Sequence, residues 1–209
     1  MNKKIFNLFK MESEYDNYID IILKYWFSGN KNADFKKWFR SGKKYDVEIK
    51  ERFLGVLKEA EKGNLLHWLG NSRSYLAHII LLDQFSRHIY RGTPDAYKND
   101  SKILLFMEMA IDRYIDDYSA SEQMFILLPY QHSEKITEQQ KGLEVLHNLI
   151  IKELDMTQKN ILKTALHHQK GHLNVISKYG RFPKRNYILG RLSTVDEIDY
   201  MDGSENVPY

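Results

Sequence analysis

The residue types best suited to chemistry are concentrated in three stretches. The densest, His172 to Thr194 (HLNVISKYGRFPKRNYILGRLST), places Lys178, Arg181, Lys184, Arg185 and Arg191 together without one acid. Like charges repel and a fixed arginine loses side-chain entropy, so such a loop needs partners. Those partners are either the chain's own carboxylates or an anionic ligand. A second stretch, LDQFSRHIYR, carries Asp83, Arg87 and Arg91 at intervals of four, hence on one helix face, with Gln84 beside them. Asp83 either pairs with Arg87 for structure or orients that guanidinium toward a ligand. The third, LPYQHSE, sets His132, Ser133 and Glu134 in a row just past an expected helix end. This has the composition of a nucleophile triad, but neighbours in sequence rarely reach the required geometry. An acid/base pair of His132 and Glu134 is the better chemistry, because imidazole titrates near neutral pH.

Other chemistries are constrained by what the chain contains. It has no cysteine, which excludes disulfides, thiolate metal sites and cysteine nucleophiles, and fits a reducing, cytoplasmic setting. His168 and His172 stand four apart and could share a metal if an oxygen donor such as Glu134 joined them, but the glutamate that follows the first histidine in zincins is missing. A hydrogen-bonded, core-facing His172 is the favoured alternative, so no metal and no cofactor is assigned. With a net charge of +3 the chain is not a polycation that coats nucleic acid. Residues 195–209 are acidic, with Asp196, Glu197, Asp199, Asp202 and Glu205 and no Lys or Arg, and can offset the basic loop directly before them.

The elements that must position these groups read as helices. Apolar residues recur at three and four from Glu14 to Phe27, Ala33 to Arg40, Tyr45 to Lys62, Tyr75 to Tyr90, Asp100 to Asp117, Ser121 to Tyr130, 135 to 153 and Asp155 to Tyr179. Thr194 with Glu197 forms a capping box for a short last helix over 195–201. The stretch Leu76 to Leu82 is apolar almost all round and belongs in the middle of the fold. The expected architecture is therefore all-α, a tetratricopeptide-like irregular bundle of about eight or nine helices without an exact repeat. Residues 1–10 read as a flexible extension, 11–201 as a single helical domain and 202–209 as an acidic tail, with no segment apolar enough to span a membrane.

Ala60, Gly63 and Trp68, then LAHIILLDQFSRHIYRGTPDAY with Asp100, MFILLPYQHSE with Gln140, and the His172 to Thr194 stretch together resemble the bacterial domain-of-unknown-function 924 family over residues 15 to 200. The resemblance implies an all-helical, tetratricopeptide-like domain and brings no known reaction. Its pattern falls on Asp83, Gln84, Arg87, Arg91, His132, Ser133, Glu134, His172, Arg181, Phe182, Pro183, Arg185, Asn186, Arg191, Ser193 and Thr194. Ser86 and His88 replace a usual proline and asparagine, and Lys184 replaces a histidine, which weighs against any mechanism needing two loop histidines.

The working expectation is that the three polar stretches line one arginine-rich pocket for a small phosphorylated or carboxylate ligand, with His132 and Glu134 as acid/base pair if chemistry occurs. A scaffold that clamps an acidic peptide or protein is the alternative. RNA binding through Tyr179, Phe182 and Tyr187 is a third, and buried ion pairing without any ligand a fourth.

Overall fold

Helical periodicity decides the architecture. The computed structural model describes residues 3–39 and 43–203, with side chains over 14–30, 34–39 and 44–203. Among the described residues there is no strand. The described residues form nine helices: α1 (Lys3–Trp26), α2 (Lys31–Phe39), α3 (Lys43–Lys62), α4 (Ser72–Ile79, Ile80–Phe85 and Ser86–Ile89 in one run), α5 (Asp100–Tyr114), α6 (Ala120–His132), α7 (Ile136–Lys152), α8 (Met156–Tyr179) and α9 (Val195–Gly203). The all-α expectation is met. The first helix begins at Lys3, earlier than the aromatic periodicity from Glu14 suggested. Side chains 1–13 and all of 204–209 lie outside the described residues, and with them most of the expected extension and tail. No helix of the described residues is long and apolar enough to cross a membrane.

The chain gathers into two compact units, Met1–Arg91 with Asp95–Tyr114, and Gly92–Pro94 with Ile115–Tyr209. The reading of 11–201 as a single domain stays an expectation about how these units fold.

In the first unit α4 is central, as its apolar circumference requires. Leu76, Ala77, Ile79, Ile80, Leu81 and Leu82 are all at most 1% exposed, and the helix packs against α1, α3 and α5. Its N-cap is Asn71, the side chain accepting the Ser74 N–H at 3.1 Å. Midway, over Ile80–Phe85, the helix widens to π geometry. One extra residue in the turn rotates everything after it. Asp83 consequently lies inside, 1% exposed, while Phe85 stacks on Phe53 and Trp26 at centroid distances of 4.5 and 5.4 Å.

His78, also on α4, is fully buried between Trp68 and Phe106, and neither ring nitrogen has a hydrogen-bond partner. Burial pushes its pKa down to about 3.

In the second unit α6, α7 and α8 pack on one another around Phe125, Ile126, Leu127, Leu146 and Leu162. A Ser119–Glu122 capping box opens α6. This helix runs through Pro129 to His132, whereas the sequence suggested a stop at the proline. Proline removes one helical N–H, a loss this buried segment tolerates because packing on neighbours holds the turn. Gly142 on α7 leaves no room for a side chain: a Cβ there would lie 2.8 Å from Tyr130 Cβ and 2.9 Å from Gln169 Oε1.

Two stability tests follow from these contacts. Gly142→Ala should destabilise by about 1–3 kcal/mol through overpacking, despite alanine's better helix propensity, read as a lower urea midpoint. His78 stays neutral in the fold, so below its ordinary pKa of 6.5 the unfolded chain takes up a proton that the folded one refuses. Stability is full above pH 6.5 and falls by roughly 1.4 kcal/mol per pH unit below it, levelling only near the folded value. His78→Leu should leave stability at pH 7 equal or higher and remove about 2 kcal/mol of the loss between pH 7 and 5. Parallel urea melts at the two pH values measure this, and an unchanged acid limb would show that His78 is not its source.

Candidate functional site

The sequence-selected residues of the first unit form two ion-pair groups. Asp83 Oδ1 accepts from Arg87 Nε and Nη2 at 3.2 and 3.1 Å, and Gln84 Nε2 donates to Asp83 Oδ2 at 2.5 Å. Arg87 Nη2 also donates to Asp100 Oδ1 at 2.8 Å, and the guanidinium lies over the Tyr97 ring. Arg91, one turn further, leaves this group and grips Asp46 of α3 through Nε at 2.7 Å and Nη2 at 3.1 Å. His88 Nδ1 lies 2.8 Å from the same Asp46. Burial raises the Asp46 pKa, but the bonds from Arg91 and His88 outweigh it and hold the carboxyl below its ordinary range. Asp83 thus pairs with Arg87, with Asp100 as a second carboxylate.

In the second unit the loop after α8 is built on two glutamates. Helix α8 ends at Gly180, whose φ of +67° lies in the left-handed region that favours glycine. The chain then turns so that Glu134, just past α6, accepts from Arg191 Nη1 at 2.6 Å, Arg191 Nη2 at 3.0 Å and the Phe182 N–H at 2.8 Å. Arg191 Nε donates to Asn186 Oδ1 at 3.0 Å, and the nearly buried Asn186 passes its amide to Ser193 and Glu197. Arg181 binds Glu197 through Nε at 2.6 Å and Nη2 at 2.8 Å, the latter also reaching the Leu192 carbonyl. Glu197 completes the expected capping box, taking the Thr194 N–H at 2.8 Å and giving its own N–H to Thr194 Oγ1 at 3.3 Å. Arg185 is buried with its guanidinium 4.5 Å from the Phe182 ring centroid.

Electrostatics fix the charge states. Burial raises the Glu134 pKa, but the bonds from Arg191 and the Phe182 N–H outweigh it, so the carboxyl sits below its ordinary 4.5 and is ionised at neutral pH. The Arg181 hydrogen bond brings Glu197 down to about 2. Burial lowers His172 and keeps it neutral. Its Nδ1 lies 2.8 Å from the Gln131 carbonyl, so Nδ1 carries the proton. Ser133 is buried and shapes the turn, its Oγ accepting the Lys135 N–H at 3.2 Å and its carbonyl the Gln139 amide at 2.7 Å. His132 is the last residue of α6 and half-buried.

The structure thus brings Glu134, Arg181, Arg185, Asn186 and Arg191 together in the second unit, and Asp83, Gln84 and Arg87 in the first. Glu134, considered as an oxygen donor beside His168 and His172, has both oxygens occupied by Arg191. No group of three or more candidate metal ligands occurs among the described residues.

One solvent-open hollow of about 250 Å³ adjoins the loop, lined by Lys178, Tyr179, Arg181, Thr194, Asp196 and Glu197. Arg181 is held there by Glu197 through Nε and Nη2, while Nη1 takes part in neither bond. The sequence reading did not pair Glu197 with Arg181. The capping box marked Glu197, but nothing local announces a partner sixteen residues away.

Glu134→Gln should remove the charge-assisted part of three bonds and lower stability by about 1–3 kcal/mol at pH 7. The folded carboxyl has the depressed pKa, so its contribution is full above pH 4.5 and is lost as pH falls through the lowered folded value. Wild-type and variant urea midpoints should therefore converge in strong acid.

Comparison with known proteins places the chain among relatives of the same kind. Residues 22–205 match the model of a family described as bacterial protein of unknown function (DUF924). A solved structure of a protein of unknown function from Agrobacterium tumefaciens is similar at 30% identity and a TM-score of 0.78, covering 90% of this chain and 99% of that one. No curated protein matches.

Proposed function

This chain belongs to the bacterial DUF924 family, and within it we propose that it is a recognition module for a carboxylate-bearing ligand, received at the hollow beside Arg181. The carrying observation is the fixed guanidinium. Glu197 locks Arg181 by two bonds and leaves the Nη1 edge for a ligand, next to the exposed Lys178. With Nη2 also given to the Leu192 carbonyl, Nη1 is left as a pre-oriented, charged donor for one carboxylate oxygen.

The anion is better read as a carboxylate than a phosphate. Asp196 and the ionised Glu197 stand in the same wall, and a group carrying nearly two negative charges meets twice the repulsion of a single carboxylate. The same acids disfavour an RNA backbone. Glu134 is unsuited to proton transfer, because an ionised carboxyl bound at both oxygens by Arg191 is a poor acid and a hindered base. Ion pairing therefore takes up most of the sequence-selected arginines, and Arg181 combines a structural bond with a place in the wall of the hollow.

Titration of ¹⁵N-labelled protein with acetate and with phosphate at constant ionic strength tests this. Acetate in the millimolar range should shift the amides of Arg181, Thr194 and Asp196, with smaller shifts from phosphate, and Lys178→Glu should abolish the response. Absent shifts, or shifts that persist in Lys178→Glu, would overturn the reading.

A further inference from the structure

Resting on the carboxylate reading just given, we infer that the ligand of the hollow is a small zwitterion, a free amino acid whose carboxylate is received by Lys178 and Arg181 and whose ammonium is received by Asp196. The charge of the wall carries this. Two cations, Lys178 and Arg181, and two carboxylates, Asp196 and Glu197, line the hollow. Arg181 and Glu197 satisfy each other through Nε at 2.6 Å and Nη2 at 2.8 Å. One charge of each sign is left. Among the described residues neither Lys178 nor Asp196 forms an ion pair, with each other or with another group. The two still sense each other: the bond to the Tyr179 side chain raises the Lys178 pKa most, and the field of Asp196 adds to it.

Such a wall discriminates by charge pattern. A bare anion at Lys178 is repelled by Asp196, and a bare cation at Asp196 is repelled by Lys178. A molecule that carries both charges close together satisfies both and adds no net charge.

The carboxylate side is fixed before a ligand arrives. Arg181 is fastened by Glu197 and by the Leu192 carbonyl at 2.8 Å, which leaves Nη1. Lys178 Nζ lies 4.9 Å from the Tyr179 ring centroid, and that ring packs against Tyr200 at 5.0 Å. Thr194 Oγ1 accepts the Glu197 N–H, so the hydroxyl hydrogen remains to donate. Ordering costs on binding are thereby reduced.

Size agrees with charge. The hollow's 250 Å³ equals the share of roughly eight waters at about 30 Å³ each, which the few non-hydrogen atoms of a small amino acid can replace. Drug-sized ligands occupy clefts of roughly 300–1,000 Å³.

Titration of the full ¹⁵N-labelled chain at neutral pH and constant ionic strength provides the test. Its ligands are glycine, acetate, N-acetylglycine, which lacks the ammonium, glycinamide, which lacks the carboxylate, and triglycine, whose two charges lie far apart. Glycine should shift the amides of Arg181 and Thr194 with a Kd at least about threefold below that of acetate, N-acetylglycine and triglycine should bind no better than acetate, and glycinamide should stay silent. Asp196→Asn removes the ammonium acceptor and the repulsion of anions together, so it should weaken glycine about threefold and tighten acetate, making acetate the better ligand. Acetate or triglycine binding as tightly as glycine, or a glycine advantage that survives Asp196→Asn, with the acetate response intact, would overturn the zwitterion and leave a site for simple carboxylates. Loss of the acetate response as well would remove the underlying reading and this inference together.

Discussion

Two glutamates hold the C-terminal part of the protein in shape. Glu134 gathers both outer nitrogens of Arg191 and the Phe182 N–H, and Glu197 gathers Arg181, Thr194 and Asn186. Without them the loop from Gly180 to Thr194 would carry only positive charge, and its cations would drive it open. With them, the same charges become the struts that fix the chain after α8 against the turn after α6. The gain over an apolar substitute is modest, since buried pairs repay their desolvation only when fully bonded. Breaking one partner is the costly event, because the other charge stays behind.

The first unit solves a related problem by different means. Its central helix is apolar along one half and then turns polar, and the π-helical turn over Ile80–Phe85 carries the chain across that change. Asp83 enters the interior with Arg87 at hand and Asp100 beyond it. Three charged groups and one amide satisfy one another where a regular helix would have aimed the aspartate elsewhere. His78, on the preceding turn, shows the opposite case: a polar ring buried with no partner, kept neutral by its surroundings.

In both regions carboxylates engage the arginines. An arginine cluster in a sequence suggests an open anion pocket, but four of the guanidiniums are bound to carboxylates: Arg87 to Asp83 and Asp100, Arg91 to Asp46, Arg181 to Glu197 and Arg191 to Glu134. At Arg181 the nitrogen outside the Glu197 and Leu192 bonds is Nη1, in the wall of the solvent-open hollow.

The sequence by itself determined the helices, because three- and four-residue periodicity and the capping box at Thr194 are local signals. It also determined that Leu76 to Leu82 would be interior and that Asp83 and Arg87 would meet, since both follow from helix geometry alone. Tertiary structure decided the rest: that α6 runs through Pro129, that the helix carrying Asp83 passes through a π turn, and that Arg191 and Arg181 answer to Glu134 and Glu197. Those partners lie 57 and 16 residues away. A charge in sequence is only a demand for compensation, and which group meets it depends on how the helices pack.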